Sequence, residues 1–285
     1  MRFAIASLAS VAVLATATPF DSSPGNTTNF ACGNPALTDD HHSMLAKAFA
    51  EEESLEIEAD AAIPTVNVYF HVLASSKKPA DGWVADSRIQ RQMTVLNNNY
   101  NKHGIKFQRA GTTRTVNKAW AQGQDTDDMK KKLRRGSYND LNLYLHQGLP
   151  GNAAGLCPYP GPTSGAGSYP NDGCQILTGS LPGGGDYNGL NDGKAGVHEV
   201  GHWFGLAHTF ENGCNEPGDY VADTPFEASP PGGGCPTGRN SCPNKPGNDP
   251  IHNHMDYTGG KCKTRFTPGQ QKRMHNMWAK YRAGK

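Results

Sequence analysis

Positions 198–208 read His198-Glu199-Val200-Gly201-His202-Trp203-Phe204-Gly205-Leu206-Ala207-His208 and hold three of the chain's 11 histidines. His198 and His202 are four apart, so on a helix they share one face and both imidazoles reach the same point. Gly205 can adopt the left-handed conformation that ends a helix, after which the chain can turn back and bring His208 to that point. Three neutral imidazoles with a fourth position left open make the ligand set of a catalytic zinc ion (Zn2+) rather than a closed structural one. Glu199 stands beside the first ligand but is poorly directed to be a ligand itself. It is the natural general base for a water acidified by the metal. The chemistry is hydrolysis of a polarised carbonyl. H-E-x-x-H alone arises by chance in unrelated helices; the added glycine and third histidine make the string specific.

Further along, "HNHMDYTGG" (252–260) supplies a turn built around Met255, and "GDYVADTP" (218–225) and "CKTRFTPGQQKRM" (262–274) stand around it. With the histidine string, these stretches resemble the pappalysin branch of the metzincins, in particular its small secreted fungal extracellular metalloproteases, over residues 64–285. The resemblance implies an α+β fold: a metzincin (zincin-like) catalytic domain with a twisted mixed sheet, helices and a loop-rich C-terminal subdomain, and zinc in the cleft between them. It implies a zinc endopeptidase acting on extracellular polypeptides. Met255 would form the apolar floor beneath the metal, and Tyr257 would ligate the resting metal or donate to the oxyanion. It also suggests that Asp219, Asp223 and Thr224 contribute to a calcium (Ca2+) site; an Asx-turn bracing a loop accounts for them at least as well. His252 and His254 lie beside the turn, but the three better-spaced histidines already complete a ligand set. The alternative function is a catalytically silent secreted zinc-binding protein that works by binding a partner. Such a protein is expected to lose the base while keeping the ligands, and Glu199 is present.

The chain has 285 residues, a net charge of +1, 36% hydrophobic and 19% charged residues. That suits one soluble domain and gives no electrostatic reason for nucleic acid or an anionic membrane as partner. A monomer acting on polypeptide substrates is expected. Residues 1–17 read as a signal peptide: Arg2, an apolar stretch, then Ala15-Thr16-Ala17. Secretion to the extracellular space follows, with residues 18–62 as a leader (propeptide or N-terminal extension) and 63–285 as the catalytic domain. Asn26-Thr27-Thr28 is the sole glycosylation sequon.

In an oxidising compartment the six cysteines of the body should pair, and six allow 15 connectivities. Cys235 and Cys262 flank the Met255 turn and are the favoured pair; Cys157 with Cys174 and Cys214 with Cys242 then follow by elimination. Cys32, in the leader, is left over. It either occupies the zinc until the leader is cleaved, or belongs to a permanent extension as a free or disulfide-bonded residue.

The elements that must position this chemistry are legible in outline. "VNVYFHVL" (66–73) alternates as a half-buried strand, and "GIKFQRA", "LNLYLH" (141–146) and "CQILTGS" (174–180) read as further strands. A helix over 86–100 opens on Asp86 or Ser87 and aligns Ile89, Met93, Leu96 and Tyr100. For the histidine helix, Asn191 or Asp192 is the expected cap, and Val197, Val200 and Phe204 face a core. Thr267, Pro268 and Gln270 mark the start of the last helix. The acidic run 51–60 reads as a solvated linker or helix face. Gly- and Pro-rich stretches at 149–187 and 212–248 read as long ordered loops braced by disulfides.

Overall fold

The computed structural model describes residues 32–54, 63, 65–162, 170–185 and 190–285. The expected signal segment, the Asn26 sequon and residues 55–62 lie outside the described residues. The fold is α+β. Strands β1 (Val66–Ala74), β2 (Phe107–Val116), β3 (Leu141–His146), β4 (Gly155–Leu156) and β5 (Cys174–Leu177) form one sheet in the order β2-β1-β3-β5-β4. All neighbours are parallel except β4, which runs antiparallel to β5. Parallel pairing requires crossovers. Helix α2 (Asp86–Tyr100) joins β1 to β2, and the short helices α3 (Lys118–Ala121) and α4 (Thr126–Leu133) join β2 to β3.

These crossovers cover both faces. Val66, Val68, Phe70, Val72, Leu143 and Leu145 pack with Ile89, Met93 and Leu96 of α2 and with Val197, Val200 and Phe204. On the opposite face Leu73 and Tyr144 meet Trp120 and Met129. The expectation of a half-buried β1 is therefore corrected: its C-terminal half is covered on both sides. His71 and His146 are consequently buried, and each bonds a polar partner: His71 lies between Thr113 and Asn142, and His146 Nδ1 is 2.8 Å from the Trp120 carbonyl.

Helix α2 opens on Asp86, as expected, with that carboxylate turned outward to Arg109 and Arg114; the cap of the histidine helix differs from the sequence reading. Helix α5 (Lys194–Trp203) begins after Gly193, whose φ of +82° a residue with a side chain would adopt only under strain; Asp192 instead accepts from the Lys194 N–H at 3.0 Å.

A further helix in the leader, α1 (Asp39–Ser54), was not anticipated. Its Glu52 corrects the picture of a solvated acidic run, since the carboxylate is buried against Arg273. From Phe204 to Thr267 the chain has neither helix nor strand beyond a single bridge between Asn253 and Arg265. The last helix, α6 (Pro268–Met277), carries the full capping box between Thr267 and Gln270. One π turn, Trp278–Arg282, then carries the Arg282 guanidinium onto the Trp203 ring, 3.6 Å from its centroid.

Candidate active site

Residues Ala195–Trp203 of α5 are all buried, because the core takes one side of the helix and the cleft floor the other. Gly201 belongs to this fit: a Cβ there would overlap the Met255 sulfur. The helix ends in a Schellman motif. Gly205, at φ +88°, donates to the His202 carbonyl at 2.8 Å, and Leu206 donates to that of Gly201 at 3.0 Å. That reversal brings His208 back to His198 and His202.

The three Nε2 atoms converge, with that of His202 3.1 Å from those of both His198 and His208. The other ring nitrogens of His198 and His202 lie 2.7 and 2.8 Å from the carbonyls of His254 and Leu206. Only an Nδ1 carrying its proton makes those bonds, so each Nε2 presents a bare lone pair inward. Burial holds all three imidazoles below their ordinary pKa, His202 down to about 4. Neutral lone pairs crowded at this distance repel one another unless a cation sits among them. The donor set fits zinc.

Glu199 is fully buried beside this cluster, and burial pushes its carboxyl up to about 8. One oxygen lies 3.5 Å from the Cys32 sulfur; the other has no hydrogen-bond partner. Edge strand β4 comes so close that a Cβ on Gly155 would stand 2.6 Å from the Glu199 Cγ. Tyr257 closes the other side, its ring 4.9 Å from His208 and 5.9 Å from His198, in the same packed cluster as Cys32. Met255 is buried against Gly201.

Cys32 lies within the site. Its sulfur is 3.6 Å from His202 Nε2, and Gly33 N–H donates to the Gly155 carbonyl at 2.7 Å. Asn34 makes paired bonds of 2.9 and 2.8 Å to the Cys157 backbone. Cys32 thus forms a single parallel bridge to Gly155 at the edge of the sheet.

The bonded cysteines are Cys157–Cys174, Cys214–Cys242 and Cys235–Cys262. Asp219, Asp223 and Thr224 serve the neighbouring loops: Asp219 accepts from Val221 N–H at 3.1 Å, and Asp223 from Gly269 N–H at the start of α6 at 2.8 Å. The Thr224 hydroxyl and the Asp219 Oδ2 are both buried without a hydrogen-bond partner among the described residues. His254 contributes its carbonyl to His198 rather than its ring, and His252 stacks no ligand but sits 3.5 Å from the Cys262 sulfur.

Several supporting residues escape the sequence patterns. Gln270 is legible as a cap, but its amide also clamps Asn253 in two bonds of 2.9 and 3.1 Å, which fixes the Met255 turn to α6. Lys263 is a fully buried ammonium whose charge acts on Asp256, Asp192 and Glu199. Tyr159 stands 5.3 Å from the His202 ring. No spacing rule marks Lys263, Tyr159 or the Gln270–Asn253 clamp.

The sequence profile of the M43 peptidases, described as pregnancy-associated plasma protein-A, matches residues 141–279. An extracellular metalloprotease of Colletotrichum graminicola is 46% identical over 266 residues, covering 91% of this chain and 93% of its own. One from Sordaria macrospora is 48% identical over 265 residues, covering 91% of each. Among solved structures, mature mirolysin of Tannerella forsythia with a cleaved peptide superposes with a TM-score of 0.64 at 24% identity, over 75% of this chain and 91% of its own. A promirolysin mutant gives 0.65 at 21% identity over 87% and 93%. The geometry of a hydrolytic metal site and this degree of identity agree, and the chain belongs to the family of extracellular metalloproteases.

Proposed function

We propose that the protein is a secreted zinc endopeptidase in which His198, His202 and His208 hold the ion and Glu199 is the general base. What supports this most is the convergence of three imidazole Nε2 atoms beside a buried glutamate. When bound, zinc supplies Lewis acidity to the scissile carbonyl and acidifies the attacking water. Glu199 takes the proton from that water and returns it to the leaving amine. Its burial favours this exchange, because a desolvated carboxylate holds a proton more readily than an exposed one. The Tyr257 hydroxyl donates to the carbonyl oxygen as charge develops there. Extracellular polypeptides are the substrates, in keeping with the relatives' names and the signal-like residues 1–17.

Phenanthroline should abolish hydrolysis of casein and added zinc should restore it. Glu199→Ala should keep its zinc and lose about 10²–10⁴-fold in kcat. Full activity in metal-free protein, or wild-type rates in the variant, would overturn the assignment.

A second reading concerns the leader. The position of Cys32 between Glu199 and His202, with Gly33 and Asn34 on β4, favours latency: residues 18–62 block the catalytic domain, 63–285, until they are cleaved. Cys32→Ser in the full-length chain should raise basal activity. No change would remove the thiol from the latency mechanism.

A further inference from the structure

The leader is held at two places of different chemistry. At the cleft, its arm makes a handful of backbone and amide bonds to β4 and places one thiol. Helix α1 makes a different kind of contact. Leu45, Ala48 and Glu52 recur at i, i+3 and i+7, so they form one face. Leu45 and Ala48 are buried with Ala207, Tyr220 and Met277, and Phe49 packs alongside. One turn later Glu52 accepts from Arg273 Nε at 2.7 Å and from Asn276 at 3.1 Å. The Lys272 ammonium donates to the Glu52 carbonyl, satisfying one of the acceptors that a helix C-terminus leaves open. Glu51 pairs with Lys280 at 2.7 Å, and His42 with the Tyr220 hydroxyl at 2.7 Å.

Arg273 shows no exposure at all, and its guanidinium donates to Glu52 and to the Tyr220 carbonyl. Without α1, this buried cation loses the one salt-bridge partner it has among the described residues, and the apolar strip of Ala207 and Met277 opens to water. Both effects favour rebinding of the helix. The same face touches the site, since Met277 lies against Gly205 and Ala207 immediately precedes His208.

We propose that this face of α6, with Ala207 and Tyr220, is a docking surface for α1 in trans. Once the chain is cut between α1 and β1, the leader remains bound as a separate peptide and keeps inhibiting until α1 is displaced or degraded. Its partner chemistry is an amphipathic helix with an acidic pair at its C-terminal end, and α1 rather than the cysteine arm supplies the affinity. The inhibitory part of this inference rests on the latency reading above; the docking part does not.

The test starts from full-length protein carrying a site for an exogenous protease within residues 55–62, purified intact and then cut. The leader fragment should co-elute with the body on size exclusion, and activity should appear only on dilution. A labelled 32–54 peptide added to cut, leader-depleted enzyme should bind and inhibit. The same peptide with Glu52→Gln should bind about thirtyfold more weakly or worse, as expected for truncating one partner of a buried charged pair. The peptide with Cys32→Ser should keep its binding within about tenfold, and a 32–38 peptide should bind far more weakly than 32–54. Because the change sits in the peptide, no enzyme variant has to fold. A leader that separates fully on cutting, a Glu52→Gln peptide that binds like the original, or a 32–38 peptide as tight as 32–54 would each overturn the proposal. Binding is read by fluorescence anisotropy, so enzyme lacking all activity would sink the protease reading and leave docking measurable.

Discussion

Between Val66 and Trp203 the chain is built from a sheet covered on both faces, and its inward residues are Val, Leu, Ile and Phe at strand and helix spacings. Between Phe204 and Thr267 it has almost no regular structure, and holds itself with two disulfides and buried ions. There Arg239 bridges Glu227 and Asp249, both carboxylates fully buried. The site draws from each region: His198, Glu199 and His202 from the patterned one, His208, Met255 and Tyr257 from the cross-linked one. Apolar packing sets the direction of the first two ligands. Covalent and ionic links set where the third ligand and the floor come to rest.

The division breaks most sharply where the patterned region depends on a charge. Asp172, just before β5, pairs with the fully buried Arg282 at 3.1 Å and accepts from Trp203 Nε1 at 3.1 Å. Asp172→Ala leaves the guanidinium buried without this partner and should cost roughly 3–5 kcal/mol in urea unfolding. Adding Arg282→Met should recover part of the loss. A change within experimental error in the single variant would show that the ion pair does not hold α5 to the C-terminus.

Removing the bridge over the Met255 turn tests the other region. Cys235 and Cys262 are 27 residues apart, and the chain-entropy model assigns such a loop about 3–4 kcal/mol. The double Cys→Ser variant should lose stability of that order and hold zinc less tightly, with far-UV circular dichroism of the sheet unchanged at low temperature. Sheet signal falling together with zinc affinity would mean that the two regions unfold as one.

Gly201 is where they touch. Gly201→Ala forces the Met255 side chain off its place and should cost roughly 1–3 kcal/mol. A companion Met255→Leu change should reveal whether the extra methyl is accommodated. Equal stability of wild type and Gly201→Ala would show that the floor yields easily.

The same contrast decides what a reader of the sequence can see. Strands β1 and β3 and helices α2, α5 and α6 were legible because apolar period and capping residues are local signals. The histidine string was legible because ligand spacing on a helix is also local. Helix α1 was hidden: its buried face carries Glu52, which acquires its partner Arg273 only through the fold. Lys263, the Gln270–Asn253 clamp and the Arg239 bridge share that character, since a buried charge is specified by a partner distant in sequence and no periodicity announces it. The displaced cap of α5 has a nearer cause: the chain enters that helix in a left-handed conformation, which Gly193 adopts without strain, so Asp192 serves the Lys194 N–H from one residue further out.

The smallest expected effect separates the regions by pH. In the patterned region, burial lowers His71 and His146 to about 4, against roughly 6.5 in an unfolded chain. Between those values the unfolded state binds more protons, so their contribution is complete above about pH 6.5 and is lost as pH falls towards 4. In the cross-linked region, burial raises Asp219 to about 8 from roughly 4. Here the folded state binds more protons across the window, so stability is complete below about pH 4 and declines as pH rises towards 8. The two regions should therefore tilt the stability profile in opposite directions. His146→Gln, whose amide can still donate to the Trp120 carbonyl, should flatten the acid side by up to about one proton. Asp219→Asn, which keeps an acceptor for the Val221 N–H, should flatten the alkaline side by a similar amount. Urea midpoints from pH 4 to 8 measure both slopes. If either variant changed the opposite limb, its group would be titrating in an environment other than the one described.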